Sequence, residues 1–186
     1  MTYSEESLIK RAQNGSTDAQ KEIYGQHIRY LTAVCSRYIL NEEDVKDILQ
    51  ECFIKIFSSL KSFEYRGDGS LRGWMCRIVV NMTLDFMQRK SVIKFTDLTE
   101  AEDTCDDEQP EIGELPDEVI YRLIRELPDG YRAVFNLYVV EGKSHKDIAQ
   151  ILKIKESTSA SQLHRAKAIL AAKIKDYQLK TESAEV

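Results

Sequence analysis

Arg77 and Asn81 stand four residues apart, one turn of a helix, and follow Tyr65-Arg66-Gly67-Asp68-Gly69-Ser70. An aromatic ring, a guanidinium and two glycines leading into a helix can handle an unstacked nucleotide base. Such a base needs a pocket, a packing surface and polar groups for its Watson–Crick edge. Tyr65, Arg66 and the loop offer the first two, Arg77 and Asn81 the third, and Arg89 and Lys90 supply charge for phosphates. A second set, Thr158, Ser161, Gln162, His164 and Arg165, can donate to phosphates and to base edges of duplex DNA. A third, Asp47, Gln50, Glu51 and Ile54, gathers acidic and amide groups around an apolar side chain on one helix face. That pattern suits docking to a basic helical partner.

Covalent chemistry has no comparable set. There is no glycine-rich phosphate loop, no carboxylate pair and no His/Cys/Asp cluster, so no catalytic residue, metal, cofactor or small-molecule substrate is expected. His27, His145 and His164 fall on separate helices and read as surface or capping residues. Cys35, Cys52, Cys76 and Cys105 form no CxxC pair and read as reduced thiols. No uncharged apolar run approaches the roughly 18–20 residues that span a bilayer. The acidic start, Met1-Thr2-Tyr3-Ser4-Glu5-Glu6, predicts no secretory signal. A cytoplasmic protein without membrane insertion is the expectation.

The elements that must position these groups are predicted to be helical. Apolar spacing predicts helices over 5–14 and 18–39, broken at Asn14-Gly15-Ser16, with Thr17-Asp18-Ala19-Gln20 as a capping box. Asn41 caps a third helix, whose Val45, Ile48, Leu49, Cys52, Phe53, Ile56, Phe57 and Leu60 form an amphipathic stripe. Residues 61–70 read as a loop. A helix follows over 71–90, with Leu71, Trp74, Met75, Ile78, Met82 and Phe86 as its apolar face. Helices over 118–127 and 130–140 come next, the latter ending at Glu141-Gly142. Then Ser144 to Leu152, a turn at Lys153-Ile154-Lys155 and a helix over 156–176 make a helix-turn-helix. Its inward side chains are Ile148, Ala149, Leu152, Ile154 and Leu163, continued by Ala166, Leu170 and Ile174.

The formal net charge of −5 conceals a division. Asp97 to Glu118 holds eleven acidic residues and no basic one; without it 26 basic residues face 20 acidic ones. Self-repulsion, Pro110 and Pro116 make this strap a poor core former. The fold class is therefore all-α: two small helical bundles joined by an acidic flexible linker. The domains are 1–96, the linker 97–117, and 118–186 with the helix-turn-helix.

Several segments resemble one family. Leu127-Pro128-Asp129-Gly130-Tyr131-Arg132-Ala133-Val134-Phe135, then Val140-Glu141-Gly142-Lys143-Ser144-His145-Lys146-Asp147-Ile148-Ala149, resemble the opening of the promoter −35-reading domain of bacterial sigma factors. Ser161-Gln162-Leu163-His164-Arg165-Ala166-Lys167 resembles its recognition helix. Ser159, Ala160 and Gln162 depart from the valine, basic residue and arginine more usual in that pattern. Asp44-Val45-Lys46-Asp47-Ile48-Leu49-Gln50-Glu51-Cys52-Phe53 resembles the helix that grips the polymerase β′ clamp helices. Tyr65 through Asn81 resembles the segment that reads and opens the −10 element. The matches span 5–90 and 118–175, leaving no room for further sigma domains, so the chain is similar to the compact extracytoplasmic-function (ECF) group. That resemblance implies core RNA polymerase, through its β′ clamp helices and β subunit, and promoter DNA as partners, with an anti-sigma factor as restraint.

The rival reading is a stand-alone helix-turn-helix regulator with an N-terminal interaction bundle. Such a bundle has no need of the 61–74 loop. The strap offers a further test. Its 22 residues span about 25 Å as a flexible chain and roughly 75 Å fully extended. Promoter elements one and a half duplex turns apart, as the resemblance implies, are separated by on the order of 50 Å. Replacing the eleven acids with Ser and Asn at constant length is expected to weaken run-off transcription. Undiminished initiation would show the strap to be a tether of arbitrary chemistry.

Overall fold

The computed structural model describes residues 4–90 and 115–182, so the strap expectations for 91–114 lie outside the described residues. The chain divides between Arg89 and Lys90 into two compact units. Every regular element among the described residues is helical.

The first unit packs α1 (Glu5–Gln13), α2 (Thr17–Ser36), α3 (Glu42–Ser59) and α4 (Ser70–Arg89), with a 3₁₀ turn at Leu60–Ser62. Capping sets the helix starts. The Asn41 side chain accepts from the Asp44 N–H at 3.0 Å, as expected. At α2 the cap is Ser16, not Thr17. Gly15 takes a positive φ of 88°, which leaves Ser16 extended with its hydroxyl accepting from the Ala19 N–H at 3.3 Å. Ile23, Leu31, Ile56, Leu71 and Met75 lie at the centre of the core.

Helix α4 is rolled relative to the expected stripe. Leu71 and Met75 are buried, but Val79, Val80, Thr83, Leu84 and Met87 complete the inner face. Trp74, Ile78, Met82 and Phe86 are only half-buried. Apolar residues occupy more than half of the helix circumference, and packing against both α2 and α3 selects which of them go inside. His27, expected at the surface, is buried, its Nδ1 2.8 Å from the Ile23 carbonyl one turn earlier. Cys35 and Cys52 are buried and unpaired. Desolvation pushes the Cys52 thiol up to about 12 and raises that of Cys35, so neither is a nucleophile at neutral pH.

The second unit comprises α5 (Asp117–Arg125), α6 (Asp129–Phe135), a π-helical turn (Asn136–Val140), α7 (His145–Leu152) and α8 (Glu156–Glu182). The single helix expected over 130–140 changes hydrogen-bonding pattern at Asn136, and α8 runs six residues beyond its expected end. Leu123, Leu127, Ala166, Leu170 and Ile174 form a core cluster, joined by Val119, Ile124, Tyr131 and Phe135. The Ser144 hydroxyl accepts from the Asp147 N–H at 3.1 Å and the Asp147 carboxylate accepts in return from the Ser144 N–H at 3.3 Å, a reciprocal box that starts α7. The Ser144 hydroxyl also donates to Asp147 Oδ2 at 2.7 Å, and that bond, aided by the one from the Ser144 N–H, lowers the pKa of the Asp147 carboxyl. The helix-turn-helix turn is where the sequence puts it, with Lys153 left-handed at φ 56°.

Arg132 is the largest fully buried side chain of this unit, at 2% exposure. Its guanidinium donates to the carbonyls of Arg125 (3.1 Å) and Leu127 (2.7 Å) at the end of α5 and pairs with Asp129. Replacing it with Met keeps much of the volume but strands those carbonyls. Arg132→Met is expected to destabilise the second unit by about 2–4 kcal/mol, read as a lower urea midpoint. An unchanged midpoint would show that water replaces the guanidinium without penalty.

Candidate nucleic-acid interface

In the first unit the candidate groups sit on two surfaces. Helix α3 is two-faced: Val45, Ile48, Leu49, Cys52, Phe53 and Ile56 go into the core, while Asp47, Gln50 and Glu51 are exposed. Ile54 stands among them with 71% of its surface in solvent. Helical spacing places all four on one side of α3.

The other surface is the 63–69 loop and the start of α4. Two side chains of α1 hold this loop at both ends. Gln13 donates through Nε2 to the carbonyls of Leu60 (3.0 Å) and Phe63 (2.8 Å), and Glu5 accepts from the Gly69 N–H at 3.0 Å. Gly67 and Gly69 take φ of 109° and 82°, a backbone that side-chain-bearing residues rarely adopt. The Phe63 ring lies 5.0 Å from the Trp74 ring, so Trp74, expected to be core, lines the junction of loop and helix instead. Arg66 is exposed, its N–H donating to Ser70 Oγ at 3.2 Å. Arg77 and Asn81 are exposed on successive turns of α4, and Arg89 and Lys90 are exposed at its end. Arg72 lies over the Tyr30 ring at 5.4 Å, linking α4 to α2. Neither Gln13 nor Glu5 belongs to a recognisable motif, and each acts on a segment at least 47 residues away. No sequence signal pointed to them.

In the second unit Ser161 and His164 are exposed at the surface of α8, and Thr158 and Arg165 are half-buried. The Ser161 hydroxyl donates to the Ser157 carbonyl at 2.9 Å, which leaves its oxygen free to accept from an amino group. Gln162 does not join them. It is 7% exposed, and its Oε1 has no hydrogen-bond partner among the described residues. It lies next to Leu163 on the inner arc of α8, so the expected base contact from Gln162 is withdrawn.

These are two helical units, one with a two-faced helix and an anchored loop, the other with a helix-turn-helix. The model of sigma-70 region 2 matches residues 23–92 and that of sigma-70 region 4 matches residues 117–170. The ECF RNA polymerase sigma-E factor of Haemophilus influenzae is 27% identical over 183 residues, covering 92% of this chain and 95% of its own. The ECF RNA polymerase sigma factor SigE of Mycolicibacterium smegmatis is 29% identical over 171 residues, covering 87% of this chain and 62% of its own. A solved structure of CnrH in complex with the cytosolic domain of CnrY is 20% identical, with a TM-score of 0.47, covering 91% of this chain and 96% of its own.

The chain belongs to the sigma-70 family, in its extracytoplasmic-function group. Its function is that of an ECF sigma factor, promoter-specific initiation of transcription. The rival regulator reading has no account of the region 2 match. No helix among the described residues is long and apolar enough to cross a membrane.

The loop carries a titration signature. The Tyr65 hydroxyl donates to Asp68 Oδ1 at 2.6 Å, and the carboxylates of Asp68, Glu5 and Glu6 oppose formation of a phenolate, raising its pKa to about 12. The raised value means the bond is intact at neutral pH and is lost only as pH rises through that value. The difference in tyrosinate absorbance between the wild type and Tyr65→Phe should isolate a ring that ionises at about pH 12, and Asp68→Ala should return that ring to the ordinary range near 10. Coincident titration curves for the wild type and Asp68→Ala would rule out this bond as the cause.

Proposed function

We propose that the first unit docks to the β′ clamp helices of core RNA polymerase through Asp47, Gln50, Glu51 and Ile54. The same unit reads and helps melt the −10 element through Tyr65, Arg66, Arg77, Asn81, Arg89 and Lys90. Thr158, Ser161, His164 and Arg165 of the second unit meet the −35 element. The working domains are 1–96, the acidic linker 97–117 and 118–186, with the β subunit as a further contact. The protein acts in the cytoplasm, catalyses no covalent step and is restrained by a cognate anti-sigma factor, as members of its group typically are.

The observation that carries the reading is Ile54. An isoleucine held at 71% exposure among acidic and amide groups lies outside the core, which the opposite face of α3 supplies. It gains only when another surface covers it. Burying an isoleucine is worth about 2 kcal/mol, and basic groups on a partner would pair with Asp47 and Glu51 around it.

Asp47→Lys combined with Glu51→Lys is expected to abolish co-migration with core polymerase while leaving the circular dichroism spectrum and melting temperature unchanged. Asn81→Ala should do the reverse. It should bind polymerase normally yet lose about 1–3 kcal/mol of open-complex stability, the worth of a base-edge contact, read by permanganate reactivity of the melted strand. Wild-type polymerase affinity in the charge-reversed protein would show the docking face to be elsewhere. Equal loss of closed and open complexes in Asn81→Ala would remove its role at the melted base.

A further inference from the structure

Ser159 sits in α8 two residues before Ser161, yet it is fully buried, with 0% exposure. Its hydroxyl faces α7, where Nδ1 of His145 lies 3.0 Å from Oγ. The imidazole is also stacked on Tyr138 of the π-helical turn, with ring centroids 4.7 Å apart and planes 24° from parallel. Tyr138, His145 and Ser159 therefore join three successive elements of the second unit in one line of contacts, ending on the helix that carries Ser161, His164 and Arg165.

The type of contact matters. Apolar packing between helices is non-directional, so Ile148, Leu152 and Leu163 set the separation of α7 and α8 more firmly than the roll of α8 about its axis. A nitrogen–oxygen hydrogen bond is directional and weakens steeply as its angle closes. The stack on Tyr138 restricts the imidazole plane, and with it the direction in which Nδ1 points. Side-chain atoms on a helix lie about 5–6 Å from its axis. A roll of about 20° thus moves them by about 2 Å, enough to convert one base-edge hydrogen bond into another or into none.

We infer that the Tyr138–His145–Ser159 line is a positioning device that fixes the roll of α8 and thereby sets which bases the side chains of its outer face accept. None of the three need touch DNA; they act through Ser161, His164 and Arg165. The inference rests on the proposal that α8 reads the −35 element.

The test uses the full chain in holoenzyme and run-off transcription from a panel of promoters carrying every single-base change in the −35 element. Ser159→Ala removes the hydroxyl. His145→Phe keeps a ring against Tyr138 but removes the nitrogen. In each, the contrast between best and worst base at the read positions is expected to fall about five- to tenfold, the factor one net hydrogen bond carries. Ser159→Thr keeps the hydroxyl and should keep the preference. The apolar pair His145→Leu with Ser159→Val should recover melting temperature but not preference. A merely structural contact would behave differently, with Ser159→Ala lowering the melting temperature while the order of base preference stayed as in wild type, and that result would overturn the inference. Should His145→Phe fail to fold, Ser159→Ala decides. His164→Ala and Arg165→Ala are run on the same panel. If they too leave it unchanged, α8 does not read this element and the inference falls with the reading. If they change it while Ser159→Ala does not, only the positioning device is lost.

Discussion

A helix in a packed bundle ends with carbonyls that no later turn can satisfy. Both units are organised around answers to that constraint. In the first, Gln13 reaches from α1 to the carbonyls of Leu60 and Phe63, where α3 gives way to the loop. In the second, Arg132 reaches back from α6 to the carbonyls of Arg125 and Leu127 as α5 ends. Each side chain comes from a helix other than the one that ends, so satisfying the carbonyls also fixes where the chain goes next. After Phe63 it goes to the loop bearing Tyr65 and Arg66. After Leu127 it goes to the helices that lead into the helix-turn-helix. The candidate functional groups inherit their positions from these two polar side chains as much as from the apolar cores.

Division of labour within single helices follows from the same economy of elements. Helix α3 spends one face on the core and leaves Ile54 outside. Helix α4 buries Leu71, Met75 and Leu84 while Arg77 and Asn81 face solvent. Because the candidate faces are the backs of core helices, core packing holds them in place. The 63–69 loop has no such backing, and it is the part that needs Gln13, Glu5 and the Phe63–Trp74 contact to hold it.

Much of this was legible in the sequence where one signal decided the outcome. The α3 stripe, its Asn41 cap and the α7–turn–α8 segment read directly, because period and capping chemistry are local. Helix α4 was harder. Ile78, Val79 and Val80 are consecutive apolar residues, and only the joint packing of α2 and α3 decides which of them point inward. Gln162 misled for a related reason, since an amide beside Ser161 and His164 reads as a base contact until the inner arc of α8 is seen to include it. The π-helical turn at Asn136–Val140 has no compositional mark. Gln13 and Glu5 act across chain separations that no pattern encodes. The exposure of Asp47, Gln50, Glu51 and Ile54 on α3 followed from spacing alone.

The length of α8 gives the second unit a mechanical character. At 27 residues it is a rod of roughly 40 Å, with Ser161, His164 and Arg165 near one end and Lys173 and Tyr177 toward the other. Ala166 and Leu170 seat its middle against α5 and α6, and the Lys173–Glu126 pair and the Arg122–Tyr177 contact brace the far arm. Buried side chains from Ser159 to Ile174 seat the rod along most of its length. The polar end that bears Ser161 and His164 is thus aimed by the same contacts that close the core of the unit.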